Sequence, residues 1–229
     1  HARAVQNRYA AVTRELSDAR RIHEALFPPP ITRGPVRVTY HYEPMRDIGG
    51  DFLFIRPLAF PPAAPAGPLL AVLIDVTGHG IAAALAVNRI HAELQTLCVG
   101  GAIPQPADLV RALNALIHAV LADSAIYATA VALRVEPGAP DQPTPSVRWA
   151  SAGHPPAFLR APGRPVQRLD GTAPMLGFLP PDDFVCDEST LDLPPGSSII
   201  AFTDGAFEAA DARGRLLGLD RLQSLVADA

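Results

Sequence analysis

Two helical stretches stand back to back in the middle of this chain, Ile81 to Leu97 and Ala107 to Leu121, and every strand-like run lies before or after them. A chain that alternates strand and helix builds a parallel sheet, whereas clustered strands around adjacent helices build α+β layers. The runs before the helices are Val36 to Tyr42, Asp51 to Ile55 and Leu69 to Val76. The last of these is continuously apolar, the pattern of a buried strand. The Pro/Ala-rich segment Pro57 to Pro68 reads as a loop between strands. After the helices come Tyr127 to Val135 and Val147 to Ser151, a hairpin around the turn region Glu136 to Pro145. Short strands follow at Phe158 to Arg160, Val166 to Leu169, Glu188 to Leu193 and Ser198 to Phe202, and a helix at Leu219 to Ala227. The expected fold is a sandwich of two sheets flanked by helices.

The first 27 residues read as one further helix. Val5, Tyr9, Val12, Leu16, Ala19, His23 and Leu26 recur at spacings of four and three, which is a heptad seam bordered by Arg14, Glu15, Arg20 and Arg21. Pro28-Pro29-Pro30 stops it, since proline lacks the N–H and clashes with the preceding turn. The seam fits packing on its own domain, or a parallel dimeric coiled coil leading from an upstream domain. We carry the second as the expectation, with residues 1–30 as linker and 31–229 as one domain. The chain starts without Met and without an apolar leader, so a fragment of a longer, cytoplasmic protein is expected.

Composition removes several chemistries. There is no Lys among the 19 basic residues, which excludes Schiff-base catalysis and a P-loop. Acidic residues number 23 and the net charge is −4, so no basic excess points to nucleic acid. The two cysteines, Cys98 and Cys186, have no zinc-ligand spacing and read as free thiols. No apolar run of about 20 residues is present to span a membrane.

Three aspartates share one setting. Asp51 follows Gly49-Gly50 and opens a strand. Asp75 ends the apolar run and precedes Val76-Thr77-Gly78-His79-Gly80. Asp204 follows Ile199-Ile200-Ala201-Phe202-Thr203 and precedes Gly205. Each alone reads equally as a turn former or helix cap. Three carboxylates converging at strand ends are what a hard cation such as Mg²⁺ or Mn²⁺ needs, because these ions take oxygen ligands. Other arrangements are weaker. Ser151 and His154 are too close along the chain for an ordinary nucleophile–base pair. His79 and His154 lack a zinc spacing, and Arg89 reads as a solvated helix residue.

Six segments, in order, resemble the PPM family of metal-dependent Ser/Thr protein phosphatases in its bacterial SpoIIE/RsbU-like branch. Asp75-Val76-Thr77-Gly78-His79-Gly80-Ile81-Ala82-Ala83-Ala84-Leu85 is similar to D-V-S-G-H-G-x-x-A-A-L. Gly49-Gly50-Asp51-Phe52, Ala152-Gly153-His154-Pro155-Pro156, Pro174-Met175-Leu176-Gly177, Phe202-Thr203-Asp204-Gly205-Ala206-Phe207-Glu208-Ala209 and Gly218-Leu219-Asp220-Arg221-Leu222 match the branch's remaining motifs.

The resemblance implies two packed antiparallel sheets with a binuclear Mn²⁺ or Mg²⁺ centre between them. Asp51, Asp75 and Asp204 would be catalytic metal ligands, Asp75 would bridge the ions, and the Val76 carbonyl would add a ligand. The implied reaction is hydrolysis of phosphoserine or phosphothreonine on a regulatory protein by a metal-activated water, with a STAS-type anti-anti-sigma factor as substrate. Near the metal turn, His79 is the nearest candidate general acid, and it reads equally as a hydrogen-bonding turn residue. Phe54 and Phe207 depart from the branch pattern. The D-D-x-T strand that ends the family's domain does not follow the last helix, so a domain lacking that strand is expected. That departure leaves a second reading, a catalytically weak module that binds a partner and relays a signal.

Overall fold

The computed structural model describes residues 2–44, 48–57, 67–101, 103–138 and 144–229, with the side chains of residues 2–12 and of Gly101 outside that description. Helix α1 (Ala2–Glu24) is followed by β1 (Asp51–Pro57), β2 (Leu69–Val76), α2 (Ile81–Leu97), α3 (Pro106–Val120), β3 (Ala128–Glu136) and β4 (Ser146–Ala152). Strands β5 (Ala157–Arg160), β6 (Gln167–Leu169), β7 (Ser189–Asp192) and β8 (Ser198–Ile200) and helix α4 (Leu219–Asp228) complete the order. All named strand pairs are antiparallel. One sheet has the order β1-β2-β3-β4-β7 and the other β6-β5-β8.

Alternation along the strands of the larger sheet builds two cores. In β3, Ala128, Ala130 and Ala132 turn toward α2 and α3, where Val87, Ile90, Leu94, Leu109, Leu113 and Ile117 are fully buried. Val131 and Leu133 turn the other way and meet Trp149, Leu159 and Leu169 between the sheets. The period-two side-chain geometry of a strand thus produces one helix-facing and one sheet-facing layer. Helix α4 packs behind the small sheet, where Arg168 bonds Asp220 at 2.6 Å and Gln223 at 2.7 Å. The expected sandwich is therefore present, with helices on both outer faces.

Two sequence expectations change. Val36–Tyr42 forms no strand, and its one ladder contact is an isolated bridge, Ile31 with Val38. Pro35 and Gly34, the latter at φ 99°, break the extended run before pairing can propagate. Residues 201–203 do not continue β8, which ends at Ile200. The loop expected from Pro57 to Pro68 falls largely on 58–66, and the centre of the turn from Glu136 to Pro145 on 139–143, both outside the described residues.

On α1, the side chains of Val5, Tyr9 and Val12 lie outside the description. Farther along, Leu16 and Ala19 are half-buried and His23 is buried, while Ile22 is exposed. The end of the seam rests on its own domain: the His23 ring meets Phe27 at 5.8 Å, and Phe27 meets Phe52 at 5.4 Å. Burial lowers the His23 pKa, so this ring is uncharged and serves as an apolar contact. An aromatic face this wide offsets the poor core character that a histidine has on paper.

Candidate active site

Register places the first two aspartates side by side. Asp51 opens β1 and pairs with Asp75 of β2, and Asp75 pairs in turn with Thr129 of β3. The three residues form one row across the sheet, on the face that looks toward the small sheet. Their strand neighbours Phe52, Ile74, Val76, Ala128 and Ala130 point into the helix-side core instead. The row is held at its end by the Val76 N–H donating to the Gly50 carbonyl at 3.2 Å. A Cβ at Gly50 would lie 2.3 Å from the Val76 carbonyl oxygen, so only glycine allows this approach.

After Val76 the chain turns sharply. Gly78 and Gly80 have φ of 91° and 79°, a region that side chains disfavour, and α2 starts directly behind them. Thr77 locks the turn to the far strand: its N–H donates to the Tyr127 carbonyl at 2.9 Å, and its hydroxyl accepts the Tyr127 N–H at 3.0 Å. His79 is exposed and has no hydrogen-bond partner among the described residues, so neither of its expected roles has a contact behind it.

Asp204 comes from the segment that follows β8 of the opposite sheet. It does not end a strand, as the sequence suggested, but opens a single 3₁₀ turn over Asp204–Ala206. The Glu208 N–H donates to the Asp204 carbonyl at 2.9 Å, which carries Glu208 round beside the cluster. Thr203, immediately before Asp204, lies next to Asp51, and its hydroxyl favours the ionised Asp51 carboxylate.

The electrostatics show that these groups meet. Asp75 is pushed up to about 7, first by burial and then by the charges of Asp51, Asp204 and Glu208. Asp51 is also raised, by burial and by Asp204, against the pull of Thr203. Like-charged carboxylates in a partly dry cleft resist joint ionisation. No arginine forms an ion pair with Asp51, Asp75 or Asp204 among the described residues. Unpaired hard oxygen donors are the chemistry that a divalent cation satisfies, so the residue types fit Mg²⁺ or Mn²⁺. Among the described residues, however, no three His, Cys, Asp or Glu side chains are arranged as they would be around an ion.

The competing sites do not assemble. Ser151 is fully buried and its hydroxyl has no partner, while His154 bonds Thr129 instead, at 2.8 Å. A serine nucleophile without base or solvent access is inert. His79 is exposed whereas His154 is buried, and among the described residues neither belongs to a group of three potential metal ligands. Arg89 is exposed, as read from sequence. Thr129, Thr203 and Glu208 were missed by sequence reasoning. Thr129 carries no motif signal and is found only through strand register, whereas Thr203 and Glu208 stood unremarked inside the T-D-G segment.

A sequence model of stage II sporulation protein E (SpoIIE) matches residues 65–229. The chain belongs to the SpoIIE family. It is similar to the phosphoserine phosphatase RsbP of Bacillus subtilis, 24% identical over 85% of this chain and 45% of that one. Among solved structures it resembles the SiaA-PP2C domain of Pseudomonas aeruginosa with a TM-score of 0.72 at 20% identity, covering 95% of this chain and 82% of that one. It also resembles RsbX in complex with magnesium, with a TM-score of 0.52 at 18% identity, covering 78% and 79%. The chain spans under half the length of the curated relatives it matches. Its fold is that of the solved PP2C-type phosphatase domains it resembles.

Proposed function

We propose that this domain hydrolyses phosphoserine or phosphothreonine on a regulatory protein, using Mn²⁺ or Mg²⁺ held by Asp51, Asp75, Asp204 and the Val76 carbonyl. The observation that carries the reading is the Asp75 carboxyl, lifted to about 7 by burial and three neighbouring acids with no basic partner. Two bound cations would supply an activated water and offset charge on the phosphoryl oxygens. The chain's own part is to hold the acids where they repel one another. The β1–β2 register fixes Asp51 beside Asp75, Thr203 orients Asp51, and the Thr77–Tyr127 pair fixes the turn. Asp75 gives up its proton when a cation replaces it, so occupancy should strengthen as pH rises through about 7. No covalent intermediate is required, in keeping with the buried Ser151.

The substrate follows from family kinship: a phosphorylated STAS-type protein in a cytoplasmic signalling pathway. That RsbP is named a phosphoserine phosphatase supports the substrate class. Among the described residues no helix is long and apolar enough to cross a membrane. We further propose that residues 1–30 link the domain 31–229 to an upstream sensory domain and pair with a second copy. Sedimentation of the chain over a range of concentrations checks this: a monomer–dimer equilibrium is expected, and a monomer throughout would limit α1 to packing on its own domain.

Phosphate release from a phosphoserine peptide and from p-nitrophenyl phosphate tests the activity. Turnover is expected with millimolar Mn²⁺ or Mg²⁺, with at least about a hundredfold loss in chelator and recovery on adding the ion back. Hydrolysis indifferent to chelator would point to other chemistry. No hydrolysis with any cation would favour the second reading, a module that binds a partner and relays a signal; the absence of a ready three-ligand arrangement is what keeps that reading in view.

A further inference from the structure

We propose that the groove between the hairpin over residues 207–218 and the first turn of α4 seats the stretch of a phosphoprotein substrate next to its phosphoserine, and that Arg221 selects an acidic side chain in that stretch. The proposal rests on the phosphatase reading above. The hairpin springs from the acid cluster itself. The Glu208 N–H donates to the Asp204 carbonyl at 2.9 Å, and the next residue, Ala209, already lines the groove. Backbone bonds then zip the two arms together. The Gly218 N–H donates to the Phe207 carbonyl at 2.8 Å and the Leu217 N–H to the Ala209 carbonyl at 2.9 Å, while Ala210 and Leu216 form a bridge. A phosphoserine held at Asp75 and Asp204 therefore has this groove beside it. Residues two to four places along an extended peptide, at about 3.3 Å each, are the ones that reach it.

Charge selects the occupant. Arg215 is engaged within the hairpin: its Nε lies 2.9 Å and its Nη2 2.8 Å from the Asp211 carboxylate, which also accepts the Arg213 and Arg215 N–H groups. Asp220 is held by Arg168 at 2.6 Å. Arg221 lines the same groove, and among the described residues its side chain has no ion pair and no hydrogen bond. It stands in the first turn of α4, the positive end of the helix dipole, where a cation is disfavoured. Helix stability therefore does not account for it. Leu216, 62% exposed, and the half-buried Leu217 give the groove an apolar wall. A groove of about 560 Å³ with a neutral Asp211–Arg215 pair, an unpaired guanidinium and an apolar wall suits an extended peptide carrying a carboxylate beside an apolar residue. A basic peptide meets like charge there. Cations in the acid cluster offset its negative charge, so it does not oppose an acidic substrate.

The test uses the full 229-residue chain as wild type, Arg221→Gln, Arg221→Lys and Arg221→Glu. Arg221 is exposed and unpaired, so all four should melt alike. The probes are three fluorescein-labelled phosphoserine peptides, identical except at two to four residues on either side of the phosphoserine, where they carry Asp, Asn or Arg. With Mn²⁺, wild type should show a KM about three- to fivefold lower for the Asp peptide than for the Asn peptide, the range for exposed ion pairs, with kcat unchanged. About 0.5 M salt should erase that preference. Arg221→Gln should abolish it, Arg221→Lys should keep part of it, and Arg221→Glu should reverse it in favour of the Arg peptide. Turnover of p-nitrophenyl phosphate, which has no flanking residues, should be the same in all four. Equal KM for the three peptides in wild type, or an unchanged order in Arg221→Glu, overturns the proposal. A change of sedimenting mass in Arg221→Glu with the peptide order intact gives the groove to a second copy and also overturns it. If no substrate is turned over, the phosphatase reading falls separately, and peptide binding followed by anisotropy decides on the groove: affinities in the order Asp, Asn, Arg uphold it, and equal affinities overturn it.

Discussion

Asp75→Asn is expected to abolish turnover while making the cation-free protein harder to melt at pH 8. The catalytic loss should be about 10³-fold or more, because a carboxylate that neutralises cations contributes several kcal/mol to the transition state, at about 1.36 kcal/mol per tenfold. The stability gain follows from proton linkage. The Asp75 carboxyl has an ordinary value of 3.8 and a folded value of about 7. Between those values the folded chain holds a proton that the unfolded chain has released. Folded stability therefore falls as pH climbs through that window and is lowest above it. Asparagine carries no such charge. The residue is only half-buried, so the full shift must be discounted for solvent screening. About 1 kcal/mol remains, or about 2–4 °C at this chain length. Melting curves at pH 4 and pH 8 check the sign: the two proteins should nearly coincide at pH 4, with the variant higher at pH 8. Millimolar Mn²⁺ should reverse the order, because only the wild type gains from ligand binding. A variant that melts below wild type at pH 8 without cations would show that the acids are not in conflict.

Gly50→Ala should damage both the site and the fold. Its new methyl group would lie 2.3 Å from the Val76 carbonyl oxygen and 3.2 Å from the Val76 carbonyl carbon. Both contacts are with backbone, which cannot swing aside as a side chain can. The strands must part by about 1 Å to reach ordinary contact distance. That strains the Val76–Gly50 hydrogen bond and carries Asp51 away from Asp75. A misplacement of about 1 Å can cost about 10²-fold in rate. Overpacking of a buried contact costs about 1–3 kcal/mol, so a fall of several degrees in Tm is expected. Gly205→Ala is the steric control, since nothing lies within 4 Å of its added carbon; it should melt like wild type. Gly50→Ala with wild-type Tm and turnover would remove the Gly50–Val76 approach from the account.

How much of this was legible in the sequence differs by element. Helices α2 and α3 and strand β2 were read nearly to the residue, because their periodicity is strong and their ends are marked by glycine and proline. The same local signals misled at Val36–Tyr42. Polarity alternates there, but a strand exists only if a partner pairs with it, and pairing is a tertiary fact. Asp51, Asp75 and Asp204 were found through motif and glycine context, yet nothing local told that Asp51 would sit opposite Asp75. Register decided that, and register also brought in Thr129. Asp204 was expected at a strand end and lies in a 3₁₀ turn, since β8 stops at Ile200 and beyond it Phe202 packs on Phe158 at 4.9 Å. His23 was discounted as a core residue from its polarity. Its burial depends on Phe27, four residues along the chain, and on Tyr42, which is distant in sequence though close in space.

The central claim is that clustered acids from both sheets hold divalent cations, and direct counting of bound Mn²⁺ tests it most simply. Wild type and Asp75→Asn would be titrated at pH 8 while free Mn²⁺ is followed by electron paramagnetic resonance. The account expects saturable uptake by wild type, approaching two ions per chain, with uptake by Asp75→Asn reduced to the level of non-specific binding. Equal uptake by the two proteins, or none by the wild type, would contradict it.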